Sequence, residues 1–114
     1  MPSTLLEERG VSIAVSNTSP LIALKHAELL GKLDLLFQRI IVPPSVMREL
    51  SVKEEEYFQS LSFLSIEEPR DRRLVLVLKT VVDEGEAEAV TVALEKNSLL
   101  IIDDLRGRKV ARRL

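Results

Sequence analysis

Two groups of acidic residues in this chain have the types and spacing of metal ligands. Glu86 and Glu88 lie in the segment Gly-Glu-Ala-Glu-Ala at residues 85–89, and Asp103 and Asp104 directly follow the apolar run 99–102. Hard divalent cations prefer oxygen ligands, and clustered carboxylates supply them. These acids can form one site only if the fold brings the two segments together.

Strand and helix patterns alternate along the chain. Short apolar runs predict four strands, at residues 11–16, 39–42, 63–66 and 99–102. Helical patterns occupy residues 20–30, 32–37, 45–52, 53–60, 83–96 and 105–114, whereas residues 72–82 fit a helix or a strand. This order predicts an α/β domain with a mainly parallel sheet and helices on both faces.

Several residues have the chemistry of helix ends. Ser19 suits the N-cap of the first helix, with Pro20 at its first position, and Gly31 suits its C-terminal cap. Asp83 suits the N-cap of the helix at 83–96. Because glycine destabilises a helix interior, by about 1 kcal/mol, Gly85 predicts a close backbone approach at the first turn.

The predicted sheet gives the acids a common edge. Ligands of open parallel sheets bind beyond the carboxyl ends of the strands. Asn17 follows the first predicted strand, and Asp103 and Asp104 follow the last one. Asn17 either offers its carbonyl oxygen to a metal or forms an Asx turn that ends the strand. One of the two aspartates can cap the next helix, and spacing does not decide which one remains for a ligand.

The three candidate glutamates each have a structural alternative. Glu86 shares a helical stripe with Val90 and Ala93, which predicts that it is buried, and Glu88 lies about 200° away around the helix. Glu86 is therefore the better candidate for a site, although with Asp83 it also fits a capping box. Glu49, one turn into its helix, is either a half-buried ligand or a surface residue.

Composition narrows the class of protein. The chain has 114 residues, of which 46% are hydrophobic, enough for a single packed domain at residues 11–114 after a loose leader at 1–10. It has no cysteine, no apolar run of membrane-spanning length and no signal-peptide pattern, which together predict a cytoplasmic protein. The formal net charge of −2 does not attract nucleic acid to the protein as a whole.

Other common sites are absent from the sequence. The isolated glycines form no dinucleotide-binding or phosphate-binding loop, and the single histidine, His26, supports no catalytic triad. The last predicted helix carries a basic patch that either contacts phosphate groups or is simply a solvated face. That patch consists of Arg106, Arg108, Lys109, Arg112 and Arg113.

Four segments together resemble the PIN-domain family of metal-dependent ribonucleases, in particular small prokaryotic members related to VapC-type toxins. The segments are residues 15–22, 42–50, 83–90 and 102–108, and the resemblance covers about residues 11–114. It implies a three-layer α/β/α sandwich with a mainly parallel sheet, here without the C-terminal strand and helices that relatives usually have. It also implies a bound Mg²⁺ or Mn²⁺ that activates water to cleave a phosphodiester bond.

The resemblance implies roles for individual residues. The catalytic carboxylates are then Glu49, Glu86, Asp103 and Asp104. Asn17 and Glu88 join them around the metal, Thr18 and Ser19 support the pocket, and Arg106, Arg108 and Lys109 contact RNA. Asn17 stands where the family usually has aspartate, which removes one negative charge and should weaken metal binding.

The resemblance leaves two functions open. One is a ribonuclease, as the toxin of a toxin–antitoxin pair with RNA as substrate, an antitoxin protein as partner and a homodimer as the assembly. The other is a catalytically inactive PIN-like module that binds protein or RNA, which Asn17 and the short C-terminus favour.

Overall fold

Four short apolar segments pair into one parallel sheet. In the computed structural model, which describes residues 12–102, they are β1 (Ile13–Ser16), β2 (Arg39–Val42), β3 (Leu64–Ile66) and β4 (Leu99–Ile101). The strand order is β3-β2-β1-β4, and all three pairings are parallel. The predicted strands and their parallel arrangement are confirmed, with β3 at an edge of the described sheet.

Five α-helices connect and cover the strands in the described part of the chain. They are α1 (Thr18–His26), α2 (Leu30–Leu36), α3 (Pro44–Glu54), α4 (Arg72–Leu78) and α5 (Glu84–Lys96). The ambiguous segment 72–82 is therefore helical at its start. No helix within residues 12–102 is both long enough and apolar enough to cross a membrane.

Both faces of the sheet are covered, which gives three layers. Ala14 and Ile40 point to one face and pack with residues of α1, α2 and α3. Val15 and Ile41, their neighbours in sequence, point to the other face and pack on α5. All four side chains are fully buried, as expected for parallel strands that are covered on both faces. The predicted α/β/α sandwich is confirmed.

Helix α5 is buried on more than one side. All residues from 86 to 93 are buried, because α5 lies on the sheet through Ala89 and Val92 while α4 covers it from outside. Val75 and Leu78 of α4 contact that outer side. A helix enclosed in this way must bury its polar side chains as well as its apolar ones.

The predicted ends of α5 are correct. Asp83 is the N-cap, and its carboxylate Oδ1 accepts a hydrogen bond of 2.9 Å from the backbone N–H of Glu86. Asn97 is the C-cap in the left-handed conformation, with φ 51° and ψ 46°. Residues with the right chemistry at both ends therefore set the length of this helix.

Three other local predictions were wrong. The first helix starts at Thr18, with Asn17 rather than Ser19 as its N-cap, and ends at His26. Gly31 is not a C-cap but lies in the first turn of α2, which starts early so that Leu30 and Leu33 reach the core. The segment 53–60 is not one helix, because α3 ends at Glu54 and a 3₁₀ turn, Phe58–Ser60, buries Phe58.

The C-terminal ends of α1 and α3 are joined by an ion pair. The Lys25 ammonium lies 2.5 Å from one carboxylate oxygen of Glu54, and the His26 imidazole lies 3.4 Å from the other. Lys25 also lies over the ring of Tyr57, 4.4 Å from its centroid. The hydrogen bond from Lys25 lowers the pKa of Glu54 by more than partial burial raises it.

This ion pair predicts a pH dependence of stability. A depressed pKa means that ionised Glu54 stabilises the fold fully above the usual value of 4.5, and that this contribution is lost as pH falls through the folded-state pKa. We therefore expect the free energy of unfolding of the wild type to fall more steeply below pH 4.5 than that of Glu54→Gln. Urea denaturation over a pH series measures this, and parallel curves for the two proteins would contradict it.

Candidate functional site

A polar pocket opens at the carboxyl end of β1. It has a volume of about 100 Å³ and receives side chains from the end of β1, the start of α1, α3 and the start of α5. The chain runs from β1 to β2 and β3 on one side of the sheet, and β4 pairs on the other side. Open α/β sheets form their ligand crevices at the point where the strand order reverses, which here lies between β1 and β4. Its lining residues are Asn17, Thr18, Ser19, Glu49, Asp83, Gly85 and Glu86.

Asn17 lines this pocket and has a buried side-chain oxygen. Only 4% of the residue is exposed, and its side-chain Oδ1 has no hydrogen-bond partner in the part of the chain that the structure describes. A buried acceptor without a partner costs about 1–3 kcal/mol, so this oxygen is suited to a donor or a cation. The backbone N–H of Asn17 donates to the Ile101 carbonyl at 3.3 Å and ties the residue to the end of β4.

Glu49 lies at the rim of the pocket. The Thr18 hydroxyl donates a hydrogen bond of 2.5 Å to its Oε1, and the Lys53 ammonium lies 3.4 Å from its Oε2. Its side chain is 46% exposed, so it is a surface residue held in place by Thr18 rather than the half-buried one considered above. Thr18, for which the family resemblance implied a supporting role, thus contacts another predicted site residue, Glu49.

Glu86 lies deeper, on the first turn of α5. Only 5% of the residue is exposed, as its helical stripe predicted, and it lines the same pocket as Glu49 and Asn17. The first turn reaches this position because of Gly85. A Cβ atom there would lie 3.3 Å from Cγ2 of Val46 on α3, so the α5 backbone does approach α3 closely at Gly85, and it meets a side chain there.

Glu88 does not line the pocket with the other predicted ligands. It is 3% exposed, and its Oε1 accepts hydrogen bonds from the backbone N–H and the hydroxyl of Ser45, at 3.2 and 2.5 Å. Its Oε2 accepts from the Arg72 guanidinium at 3.0 Å. Burial alone would raise the pKa of Glu88, but the hydrogen bonds from Ser45 and Arg72 outweigh it and lower the pKa below its usual value.

The remaining predicted site residues, Asp103, Asp104, Arg106, Arg108 and Lys109, lie outside the described residues. Within residues 12–102, no group of three or more His, Cys, Asp or Glu side chains could hold a metal ion. The pocket there offers the Asn17 amide oxygen and the carboxylates of Glu49 and Glu86. This all-oxygen donor set fits Mg²⁺ or Mn²⁺ in kind, although it is smaller than the six ligands such ions usually take.

Comparison with known proteins identifies the family. A sequence model of the PIN domain matches residues 13–114, most of the chain. This chain belongs to the PIN domain family. Neither the curated proteins nor the solved structures include a significant match. The parallel α/β sandwich described above is consistent with a PIN domain, and the matched range contains all four segments on which the resemblance was based.

Sequence reasoning missed the partners that hold the acids of this PIN domain. Lys53 follows Glu49 by four residues, a spacing that signals an ion pair on one helix face. Ser45 follows two prolines at a helix start, where the backbone N–H needs an acceptor from elsewhere. Nothing in the sequence identifies Glu88 as that acceptor, because the two residues are far apart along the chain.

The contact of Gly85 with α3 can be tested against a matched glycine. Gly31 and Gly85 are each the second residue of a helix, but a Cβ at Gly31 would meet nothing within 4 Å. We expect Gly31→Ala to stabilise the domain by about 0.5 kcal/mol, because alanine favours the helix. Gly85→Ala should instead destabilise it by about 1 kcal/mol, because the fully buried Val46 must move. Denaturant unfolding measures both, and equal stabilisation would contradict the close packing.

Proposed function

We propose that this PIN domain is a metal-dependent ribonuclease that hydrolyses phosphodiester bonds of RNA, with the pocket at the end of β1 as its metal site. The observation that carries the proposal is the convergence of oxygen ligands. Asn17, Glu49 and Glu86 come from three separate segments and line one pocket at the crevice of a parallel sheet. PIN domains generally depend on divalent metal ions, and such ions prefer oxygen ligands.

The residues that would hold Mg²⁺ or Mn²⁺ are Glu86 inside the pocket, Asn17 through its Oδ1, and Glu49 at the rim. Asp103 or Asp104 would add a further carboxylate. The chain leaves β4 beside Asn17, since the Ile101 carbonyl accepts the Asn17 N–H. In the sequence the two aspartates directly follow Ile102, the last residue that the structure describes.

The side chains of the pocket prepare it for this role. A bound cation supplies two things, a lower pKa for its water ligand and neutralisation of charge on the scissile phosphate. Thr18 fixes the orientation of Glu49 by its hydrogen bond. Asn17 contributes an oxygen without a negative charge, so the site repels a phosphate less but binds the cation more weakly than one with aspartate there. Glu88 belongs to the support of the pocket, because its carboxylate is already taken by Ser45 and Arg72.

The resemblance to VapC-type toxins favours a cellular role as the toxin of a toxin–antitoxin pair. In that role an antitoxin protein would bind the domain, and the basic residues Arg106, Arg108 and Lys109 would contact the RNA backbone. The protein would act in the cytoplasm as a homodimer. Each of these roles requires an active metal site.

The test compares Glu86→Gln with Glu84→Gln. Both substitutions remove one carboxylate from the first turn of α5, but Glu84 is exposed and does not line the pocket. We expect Mn²⁺-dependent cleavage of a structured RNA to fall at least about 100-fold in Glu86→Gln, since even partners of metal ligands are worth about 10–100-fold. Glu84→Gln should cleave like the wild type. In cells, the wild type and Glu84→Gln should arrest growth and Glu86→Gln should not.

The competing function is an inactive PIN module that binds protein or RNA. Two observations favour it: the neutral Asn17 and the presence of only two pocket glutamates, Glu49 and Glu86, within residues 12–102. An inactive module would show no saturable Mn²⁺ binding by calorimetry. Equal RNA cleavage by the wild type and Glu86→Gln, or no cleavage by either, would count against the proposed ribonuclease.

A further inference from the structure

The buried carboxylate of Glu88 joins three helices. It projects from α5, accepts both the N–H and the hydroxyl of Ser45 on α3, and accepts the guanidinium of Arg72 on α4. These three hydrogen bonds use both of its oxygens. A carboxylate that is 3% exposed and bonded in this way has no need of a metal ion to satisfy it.

The first turn of α3 needs this carboxylate. Helix α3 begins at Pro44, and its N-cap, Pro43, makes no side-chain capping bond. The first N–H groups of any helix lack acceptors within the helix, and a negative charge close to them is favourable. Glu88 therefore acts as the cap of α3, supplied by α5 rather than by the residue before the helix.

The cap lies on the α3 face that also carries Glu49. Ser45 and Glu49 are four residues apart, so they lie above one another on α3. Glu86 and Glu88 are two residues apart on α5 and point about 200° away from each other. One helix thus sends one carboxylate into the pocket and another into the first turn of α3. The Gly85–Val46 contact brings the two first turns together, and a Cβ at Gly85 would also lie 3.9 Å from the Ser45 hydroxyl oxygen.

We propose that Glu88 is a positioning residue, whose hydrogen bonds to Ser45 hold α3 and α5 in the register that places Glu49 and Glu86 around one cation. This inference rests on the proposed function, because it concerns the same pocket. It assigns Glu88 a role different from that of a metal ligand. Loss of the oxygen that accepts from Ser45 should weaken cation binding although every proposed ligand remains in the chain.

The experiment measures Mn²⁺ affinity by calorimetry in wild type, Glu88→Ala, Glu88→Gln and Ser45→Ala, each at a temperature where it is fully folded. An amide oxygen still accepts from Ser45, so the Mn²⁺ affinity of Glu88→Gln should be within about 3-fold of that of the wild type. The Mn²⁺ affinity of Glu88→Ala should fall by about 10-fold or more, which is the usual effect of removing a partner of a metal ligand. Ser45→Ala should weaken binding in the same direction. Glu54→Gln, which breaks the ion pair at the far end of α3, is the control and should not change the affinity.

A second readout needs no metal. Hydrogen exchange of the Ser45 amide in the metal-free protein should be at least about 10-fold faster in Glu88→Ala than in the wild type, and close to wild type in Glu88→Gln, because only the alanine variant removes the acceptor. Glu54→Gln should again behave like the wild type. If Glu88→Ala does not fold, the Gln and Ser45→Ala variants still test the inference.

The outcomes separate the inference from the proposed function. Unchanged Mn²⁺ affinity in Glu88→Ala would overturn the positioning role and leave the ribonuclease proposal intact. If Glu88→Gln loses as much Mn²⁺ affinity as Glu86→Gln, the positioning role would also be overturned, because Glu88 would then be a ligand. No saturable Mn²⁺ binding by the wild type would overturn the proposed function and this inference with it.

Discussion

The site depends on the contact between the first turns of α3 and α5. Gly85 lets α5 approach Val46 more closely than a larger residue would, and the Glu88–Ser45 hydrogen bonds lie beside that contact. With the two turns in this position, Glu49 and Glu86 line one pocket with Asn17. A small shift of α5 along α3 would separate the two glutamates. The packing of apolar and small residues therefore determines the relative positions of the polar side chains in the site.

The sheet positions the third residue of the site, Asn17. Four parallel strands place all their carboxyl ends on one side, and Asn17 directly follows β1, which is central. The hydrogen bond from Asn17 to Ile101 then joins the end of β1 to the end of β4. The neutral side chain has a physical consequence for the metal-free protein. An amide beside the carboxylates of Glu49, Asp83 and Glu86 adds no further negative charge, so repulsion within the pocket is smaller than with an aspartate at position 17.

Much of this arrangement was predictable from the sequence. Apolar runs separated by helices indicated the parallel sheet, Asp83 indicated the start of α5, and the spacing of Glu86 from Val90 indicated its burial. Gly85 signalled the close approach to α3. The role of Glu88 was not predictable, because a single apolar stripe leaves the opposite face of α5 to solvent. Glu88 is buried where Ser45 of α3 and Arg72 of α4 bond to it, and those contacts are long-range.

The wrong predictions of helix ends also arise from long-range packing. Ser19 and Gly31 have suitable chemistry for helix ends, but burial of Leu30 and Leu33 decides where α2 begins. Likewise Phe58 interrupts a charged segment because the core takes its side chain. Capping preferences of about 1 kcal/mol yield to the burial of whole apolar side chains, which is worth about 1.5–3 kcal/mol each.

The most direct test of the central claim is a crystal structure of the domain soaked in Mn²⁺, with the ion located by its anomalous scattering. We predict one strong peak in the pocket, within coordination distance of the Asn17 amide oxygen and the Glu86 carboxylate, with the Glu88 carboxylate still bonded to Ser45. An empty pocket at saturating Mn²⁺, or a peak coordinated by Glu88 away from Asn17 and Glu86, would contradict the claim that these segments form one metal site.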